Sequence, residues 1–243
     1  MNPPLHSSFK GSALVTSETG VDLLAAAAVG EIRSGLTVGL GTGRAATRAI
    51  RALARRASAE HLKLICVATS RESDELGRRL GLDVRAMEGI ETVDYLFDGA
   101  DAVDPELRMI KGRGGAMTRE KIVAHAAARR VYLIQSAKLV PRLGAGAPLP
   151  IEVLRFGLAA TRQSLRRLGL DGPIRLKDGA GDYETDNGNP VIDAPLPAGV
   201  DPGQLGAAID ALPGVMGHGL FLTEADVVLV EDAEGRVTRR ERA

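Results

Sequence analysis

Four residues within one short stretch have the types and spacing for acid–base chemistry on a small molecule. Asp98, Asp101, Lys111 and Glu120 all fall in DYLFDGADAVDPELRMIKGRGGAMTREK, from Asp94 to Lys121. The two aspartates flank Gly99-Ala100 just past the apolar YLF, so a tight turn brings both carboxylates toward one cleft. Paired acids suit proton transfer because proximity separates their pKa values. Lys111 offers a point charge for an oxygen that becomes negative. Glycines 112, 114 and 115 follow it, and a helix opening near Ala116 puts Glu120 one turn in, facing the cleft of Asp98. The plain alternatives are an aspartate turn that only caps backbone N–H groups and a solvated helix face carrying Glu120 and Lys121. The clustering of acids, lysine and glycines favours the cleft.

A second cluster, GLGTGRAATR, follows the apolar LTVGL and opens a helix. Glycine lets the backbone approach an anion closely, and the free N–H groups of a first helical turn favour negative charge, so a phosphate fits here. Gly41, Gly43 and Ala46 also match the looser dinucleotide-binding spacing. The next strand, however, ends in Ala68, Thr69 and Ser70 rather than in an acid that would hold a ribose, which argues against a nicotinamide cofactor. The plain alternative is a glycine turn joining strand to helix. His6, His61, His125 and His218 show no ligand spacing, so no metal is expected.

Helical and strand periods alternate in the elements that must position these groups. Residues 21–33 read as an alanine-rich helix with a stripe through Leu24, Ala28, Val29 and Ile32, feeding the strand LTVGL. A second helix runs from about Arg44 to Arg56, LKLICVA is a strand, and Thr69 with Glu72 has capping-box spacing ahead of another helix. VDYLF is a strand, AMTREKIVAHAAARR a helix and VYLIQ a strand. That succession predicts a parallel sheet covered on both faces, an α/β fold. After Lys138 the pattern changes to glycine and proline punctuation with β-rich sequence and helices at about 157–168 and 202–211. This predicts a smaller α+β domain over 146–219, inserted in a main domain of 21–145 and 220–243, with ADVVLVEDAEGRV returning to the main sheet.

Composition narrows the function. The 243 residues are 44% hydrophobic and 26% charged, enough for a substantial core. Lysine plus arginine and aspartate plus glutamate both number 31, so no basic field exists to hold a nucleic acid. The single Cys66 excludes an intramolecular disulfide and suits a reducing, cytoplasmic compartment. The N-terminal stretch has no apolar core of signal-peptide length, and no run of ~18 apolar residues predicts a membrane span.

The ordered motifs GLGTG, TSRESDELGRRLGL, DGADAVDPELRMIKGRGGAMTREKIVA, SAKLVPRLG, PLPIEV, TDNGNPVID and LPGVMGHGLF, the last followed by ADVVLV, resemble those of ribose-5-phosphate isomerase type A from about residue 21 to 235. The resemblance implies a Rossmann-like domain with a smaller ferredoxin-like domain, usually as homodimers or larger oligomers. It implies a metal-free, cofactor-free aldose–ketose isomerase that interconverts ribose 5-phosphate and ribulose 5-phosphate through a cis-enediol. Carried over by motif, Glu120 is the base moving a proton between C2 and C1. Asp98 assists ring opening and proton shuttling at the oxygens, and Asp101 positions hydroxyls. Lys111 steadies the enediolate, and Lys138 in SAK reaches the phosphate or sugar end. Gly41, Thr42, Gly43, Arg44 and Ala45, with Gly99, Ala100, Gly112, Arg113 and Gly114, complete the substrate-binding set.

The chain departs from the family pattern at several places. Gly-Thr-Gly-Arg-Ala stands where the family usually reads Gly-Thr-Gly-Ser-Thr, so Arg44 and Ala45 replace two hydroxyls, and Arg44 is expected to take over phosphate binding. Val21 falls where a lysine is common, Ala102 where an acid is common, and Arg113 interrupts the glycine run. A different class of function, a non-catalytic sugar-phosphate sensor, would normally append a helix-turn-helix, for which the first 20 residues are too few. The remaining alternatives are an isomerase of another sugar phosphate, since Arg113 adds charge and bulk near Lys111, and, below it, a CoA-transferase relative with a nucleophilic glutamate.

Overall fold

Alternating apolar strands and alanine-rich helices assemble a mixed eight-stranded sheet in the computed structural model, which describes residues 13–14, 22–177 and 181–242. His6, Val21 and Ala243 lie outside the described residues. After β1 (Ala13–Leu14), Asp22 opens α1 (Leu23–Val29) by accepting the Ala25 N–H at 2.9 Å. β2 (Thr37–Leu40) leads through the glycine loop into α2 (Arg44–Glu60). β3 (Ile65–Ala68), α3 (Arg71–Arg79), β4 (Val84–Arg85) and β5 (Val93–Gly99) follow. A hairpin of β6 (Ala102–Val103) and β7 (Met109–Ile110) precedes α4 (Met117–Ala126) and β8 (Ala127–Gln135). Then come β9 (Leu149–Val153), α5 (Leu158–Arg167), β10 (Val191–Ala194), α6 (Pro202–Asp210) and β11 (Val215–His218). β12 (Leu220–Phe221), β13 (Val227–Glu231) and β14 (Val237–Glu241) complete the chain.

The large sheet has the order β1-β14-β13-β8-β5-β2-β3-β4. The six strands from β13 to β4 are parallel, and β14 and β1 extend that sheet in antiparallel pairing. Successive side chains point to opposite faces of a strand, and here both faces are buried. Tyr95, Phe97, Val131 and Leu133 join Leu24, Ala28, Ile50 and Leu53 of α1 and α2 in one apolar cluster. Leu96, Tyr132 and Ile134 instead meet Met117, Val123 and Ala124 of α4. The α/β class and the return of the last strands to the main sheet are as the sequence predicts.

A second, antiparallel sheet, β10-β9-β11, packs Leu149, Ile151, Val153 and Ile192 with Leu165 of α5 and Leu205 and Ile209 of α6. A small third sheet, β12-β7-β6, joins the two regions, because Ala102, Ile110 and Leu220 belong to the same apolar cluster as the α5 and α6 contacts. Ala102 is thereby buried in apolar surroundings, a position where a carboxylate would be costly.

Three local expectations need correction. α1 stops at Val29 with Gly30 as its C-cap, so Ile32 is buried outside the helix. Ser70, not Thr69, caps α3: the Ser70 hydroxyl accepts the Ser73 N–H at 3.2 Å, whereas the Thr69 N–H still donates to Leu40 O at 3.0 Å as an extension of the sheet. α4 ends at Ala126, and the AARR segment expected in it starts β8, because pairing with β5 runs from Val93 opposite Ala127 to Gly99 opposite Leu133.

Candidate active site

The carboxyl ends of β2 and β5 lie side by side, and the polar groups singled out in the sequence gather beyond them, where open parallel sheets bind ligands. A cleft of about 640 Å³ opens there. Thr42, Gly43, Arg44 and Ala45 line it from the β2–α2 loop, and Gly99, Ala100 and Asp101 from the end of β5. Lys111, Gly112, Arg113, Gly114 and Glu120 line it from the segment between β7 and α4, and Lys138 from the short turn after β8. Gly41 and Asp98 sit behind this lining, with Asp98 fully buried.

Lys111 is the hub. Its ammonium, in a side chain with 3% exposure, lies 2.9 Å from Asp98 Oδ2 and 3.3 Å from Glu120 Oε2, and it donates to Gly99 O. The Tyr132 and Phe221 rings each stand 5.5 Å from it, centroid to nitrogen, excluding water while offering their π faces. The contacts to the two acids are ionic: neither Asp98 Oδ2 nor Glu120 Oε2 receives a well-directed hydrogen bond. Those two buried oxygens therefore retain acceptor capacity.

The other Asp98 oxygen is fully engaged. Oδ1 accepts the Thr42 N–H at 2.9 Å and the Gly99 N–H at 2.7 Å. Asp98 is thus both a backbone cap, the plain alternative, and a member of the charged cluster. Gly41 has to be glycine because a methyl group there would run into the Asp98 carboxylate and its Cα. Thr42 Oγ1 and Thr69 Oγ1, 2.7 Å apart, tie the loop to the end of β3.

Burial pushes the Glu120 carboxyl up, the Asp98 charge adds to this, and Lys111 offsets only part of it, leaving the group at about 8. Burial alone would lower the Lys111 ammonium, but the charges of Asp98 and Glu120 more than compensate and hold it above the ordinary lysine value. Holding the proton on Glu120 leaves one less negative charge to bury beside Lys111, the less costly state away from water. Glu120, with 4% exposure, is not the solvated helix residue of the plain alternative. Neither is Lys121, which is half-buried, its ammonium 5.1 Å from the centre of the Phe221 ring.

Asp101 lines the cleft, but its carboxylate is tied to the glycine loop, Oδ2 accepting the Arg113 N–H at 2.9 Å. Arg44 and Arg113 are exposed at the cleft, and among the described residues neither meets an ion-pair partner of the kind that holds most other arginines. The sequence reading missed Arg48, one turn beyond Arg44 on α2, which also lines the cleft. It is held by Asp22 at 2.6 Å and by Glu231 of β13 at 2.7 Å. The spacing of Arg44 and Arg48 was the only local signal for it. Among the described residues no group of three or more histidine, cysteine, aspartate or glutamate side chains is placed to hold a metal ion. No helix among them is long and apolar enough to cross a membrane.

A doubly covered parallel sheet that gathers two carboxyl groups and an ammonium beyond the carboxyl ends of its strands has the arrangement of an α/β enzyme. The family model of ribose 5-phosphate isomerase A (phosphoriboisomerase A) matches residues 65–235. Ribose-5-phosphate isomerase A of Thermomicrobium roseum is 42% identical over 87% of this chain and 90% of its own length. The Roseiflexus castenholzii enzyme of that name is 41% identical over 85% and 88%. The solved structure of ribose 5-phosphate isomerase A from Methanocaldococcus jannaschii superposes with a TM-score of 0.84 at 35% identity, covering 90% of this chain and 96% of that one. A D-ribose-5-phosphate isomerase in complex with phospho-erythronic acid gives a TM-score of 0.85 at 33% identity, with the same coverage. The chain belongs to the ribose 5-phosphate isomerase A family, and it is an isomerase.

Proposed function

We propose that this enzyme interconverts D-ribose 5-phosphate and D-ribulose 5-phosphate through a cis-enediol, with Glu120 as the proton carrier. The observation that carries the reading is the contact of the Lys111 ammonium with both Asp98 Oδ2 and Glu120 Oε2. Asp98 takes part in opening the furanose ring and passes protons between the sugar oxygens. In the open aldehyde the ionised Glu120 removes the C2 proton, the C–H electrons become the C1–C2 double bond, and the carbonyl electrons move to O1. Lys111 stabilises that oxygen, which takes up a proton. Glu120 then returns its proton to C1 as the O2 proton leaves and the C2 carbonyl forms, so the net change is an isomerisation without any redox partner. Phospho-erythronic acid, bound by a relative, carries a phosphate at one end and two oxygens on one carbon at the other, a likeness to the enediolate that supports this polarity.

The phosphate goes to Thr42, Gly43, Arg44 and Ala45 at the start of α2, supported by the free N–H groups and positive dipole end of a helix of 17 residues and by the exposed guanidinium of Arg44 at the cleft. Gly41 keeps that loop against Asp98. Asp101, Gly99, Ala100, Gly112, Arg113 and Gly114 surround the sugar, with Lys138 at the phosphate or sugar end. Incubation with ribose 5-phosphate and detection of ribulose 5-phosphate tests the reaction. No conversion, or equal turnover by a Glu120→Gln variant, would sink it.

The same reading makes residues 21–145 and 220–243 a Rossmann-like catalytic domain and 146–219 a smaller ferredoxin-like one, supported by the apolar cluster of α5 and α6. It also makes the protein a cytoplasmic homodimer. Phe156, 98% exposed, and Leu154 beside it are apolar surface that a second copy would cover, and sedimentation of the purified protein decides the point.

A further inference from the structure

Two side chains outside the cleft grip the backbone of its glycine loop. Arg175 Nη1 donates to both Gly112 O and Arg113 O at 3.0 Å. The rest of its guanidinium forks onto Asp193 of β10, Nε to Oδ2 at 2.9 Å and Nη2 to Oδ1 at 2.6 Å. The Tyr183 ring lies against the guanidinium, 5.3 Å from its central carbon to the ring centre, and the Tyr183 hydroxyl donates to Gly114 O at 2.9 Å. Three consecutive carbonyls are thus held by one stacked pair. Gly115, at φ 74°, must be glycine, since a methyl group there would strike the Tyr183 hydroxyl.

The grip is itself rigidly mounted. The Arg175 N–H donates to Val191 O at 2.8 Å, which lays Arg175 beside β10, and the Tyr183 N–H donates to Arg175 O at 3.0 Å, which lays Tyr183 beside Arg175 in turn. A planar peptide points its N–H opposite to its C=O. Turning the Gly112 carbonyl toward Arg175 therefore turns the Arg113 N–H the other way, where it meets Asp101 Oδ2 at 2.9 Å. By the same planarity the Gly114 N–H is turned away from the grip. The orientation of Asp101 and of the peptides that follow Lys111 is set from outside the cleft.

We infer that Arg175 and Tyr183 are positioning residues for the isomerisation, fixing the Gly112–Gly114 backbone and Asp101 around the reacting end of the sugar. The inference rests on the proposed isomerase reading. Neither side chain lines the cleft, so the phosphate contacts should survive their loss while alignment of the reacting end should not. A misplacement of about 1 Å far from the chemistry can cost a hundredfold in rate.

Steady-state kinetics on ribose 5-phosphate with Arg175→Met, Tyr183→Phe and the double variant test this, assayed below each variant's melting temperature. Arg175→Met is expected to lower kcat about tenfold to a hundredfold with KM within about twofold. Tyr183→Phe, which keeps the ring on Arg175 and loses only the bond to Gly114 O, is expected to lower kcat several-fold. The double variant should be little worse than Arg175→Met, because both residues hold one loop. Wild-type kcat and KM in folded Arg175→Met would overturn the inference, as would independent, multiplicative losses in the double variant. If Arg175→Met does not fold, wild-type kcat in Tyr183→Phe overturns it. Glu120→Gln run alongside separates the two readings: a fully active Glu120→Gln sinks the isomerase chemistry, whereas an inactive one with unimpaired grip variants sinks only the positioning role.

Discussion

In the proposed mechanism Glu120 carries a proton back and forth, and its surroundings suit that task. A carboxyl at about 8 is close enough to neutral pH to be ionised in a useful fraction of molecules and basic enough to pull on a weak carbon acid. Glu120→Gln is expected to lower kcat by a factor on the order of 10² to 10⁴, the usual share of general acid–base catalysis, with KM little changed. In the wild type kcat/KM should climb with pH and level off above about 8, as the free enzyme's base ionises. Stability should run the other way. The folded protein keeps this proton up to about 8, whereas an ordinary glutamate releases it near 4.5. Its contribution is therefore full below about 4.5 and lost as pH rises through about 8. Glu120→Gln, which has no proton to lose, should gain in melting temperature on the wild type across that range; a constant difference would contradict the burial argument. Arg44→Ala tests the other end of the site. Losing a charged hydrogen-bond partner of the phosphate should raise KM about tenfold or more with little change in kcat, and an unchanged KM removes Arg44 from the binding loop.

At the scale of elements, the site depends on loops and helix ends that cannot shift independently. Gly41→Ala should both destabilise the protein and abolish turnover, because the new methyl can be accommodated only by moving Asp98 or the end of β5. The start of α4 is anchored from the other side by the buried Glu152 of β9. It accepts from Thr118 of α4, from Thr185 at 2.7 Å, from Asn187 at 3.1 Å and from Asn189 at 3.0 Å. Glu152→Ala strands several buried donors and is expected to cost roughly 3 kcal/mol or more, read as a fall of roughly 6 °C or more in melting temperature. A melting temperature within a degree of wild type would mean that the network contributes little. The longer helices and the parallel strands were legible in the sequence because their apolar periods are local. The α3 cap and the α4–β8 boundary were not, because in both places pairing with a neighbouring strand decides the backbone. Asp98, Lys111 and Glu120 were legible through clustering and motif. The partners of Arg48 and the grip of Arg175 were hidden, since Glu231 lies beyond 180 residues of intervening chain and the carbonyls of a glycine run leave no mark in side-chain identity.

Across the whole molecule, Arg175, Tyr183 and Asp186 tie three supports of the cleft to one region. Besides holding the glycine loop, it contributes Asp186, whose Oδ2 accepts the Arg71 N–H at 2.7 Å at the start of α3 and lies 3.6 Å from Arg119 of α4. Three neighbours of the cleft are thus referred to one strip of chain beside the small sheet. The bond between Thr42 N–H and Asp98 Oδ1 has a similar reach. In the proposed reading Thr42 receives the substrate's tail and Asp98 opens its ring, and the hydrogen bond they share means that the two ends of the ligand are not separate handles. On that reading a pentose without its phosphate forfeits more than adhesion, because an anion held at Thr42 also acts on the peptide against which the aspartate is braced.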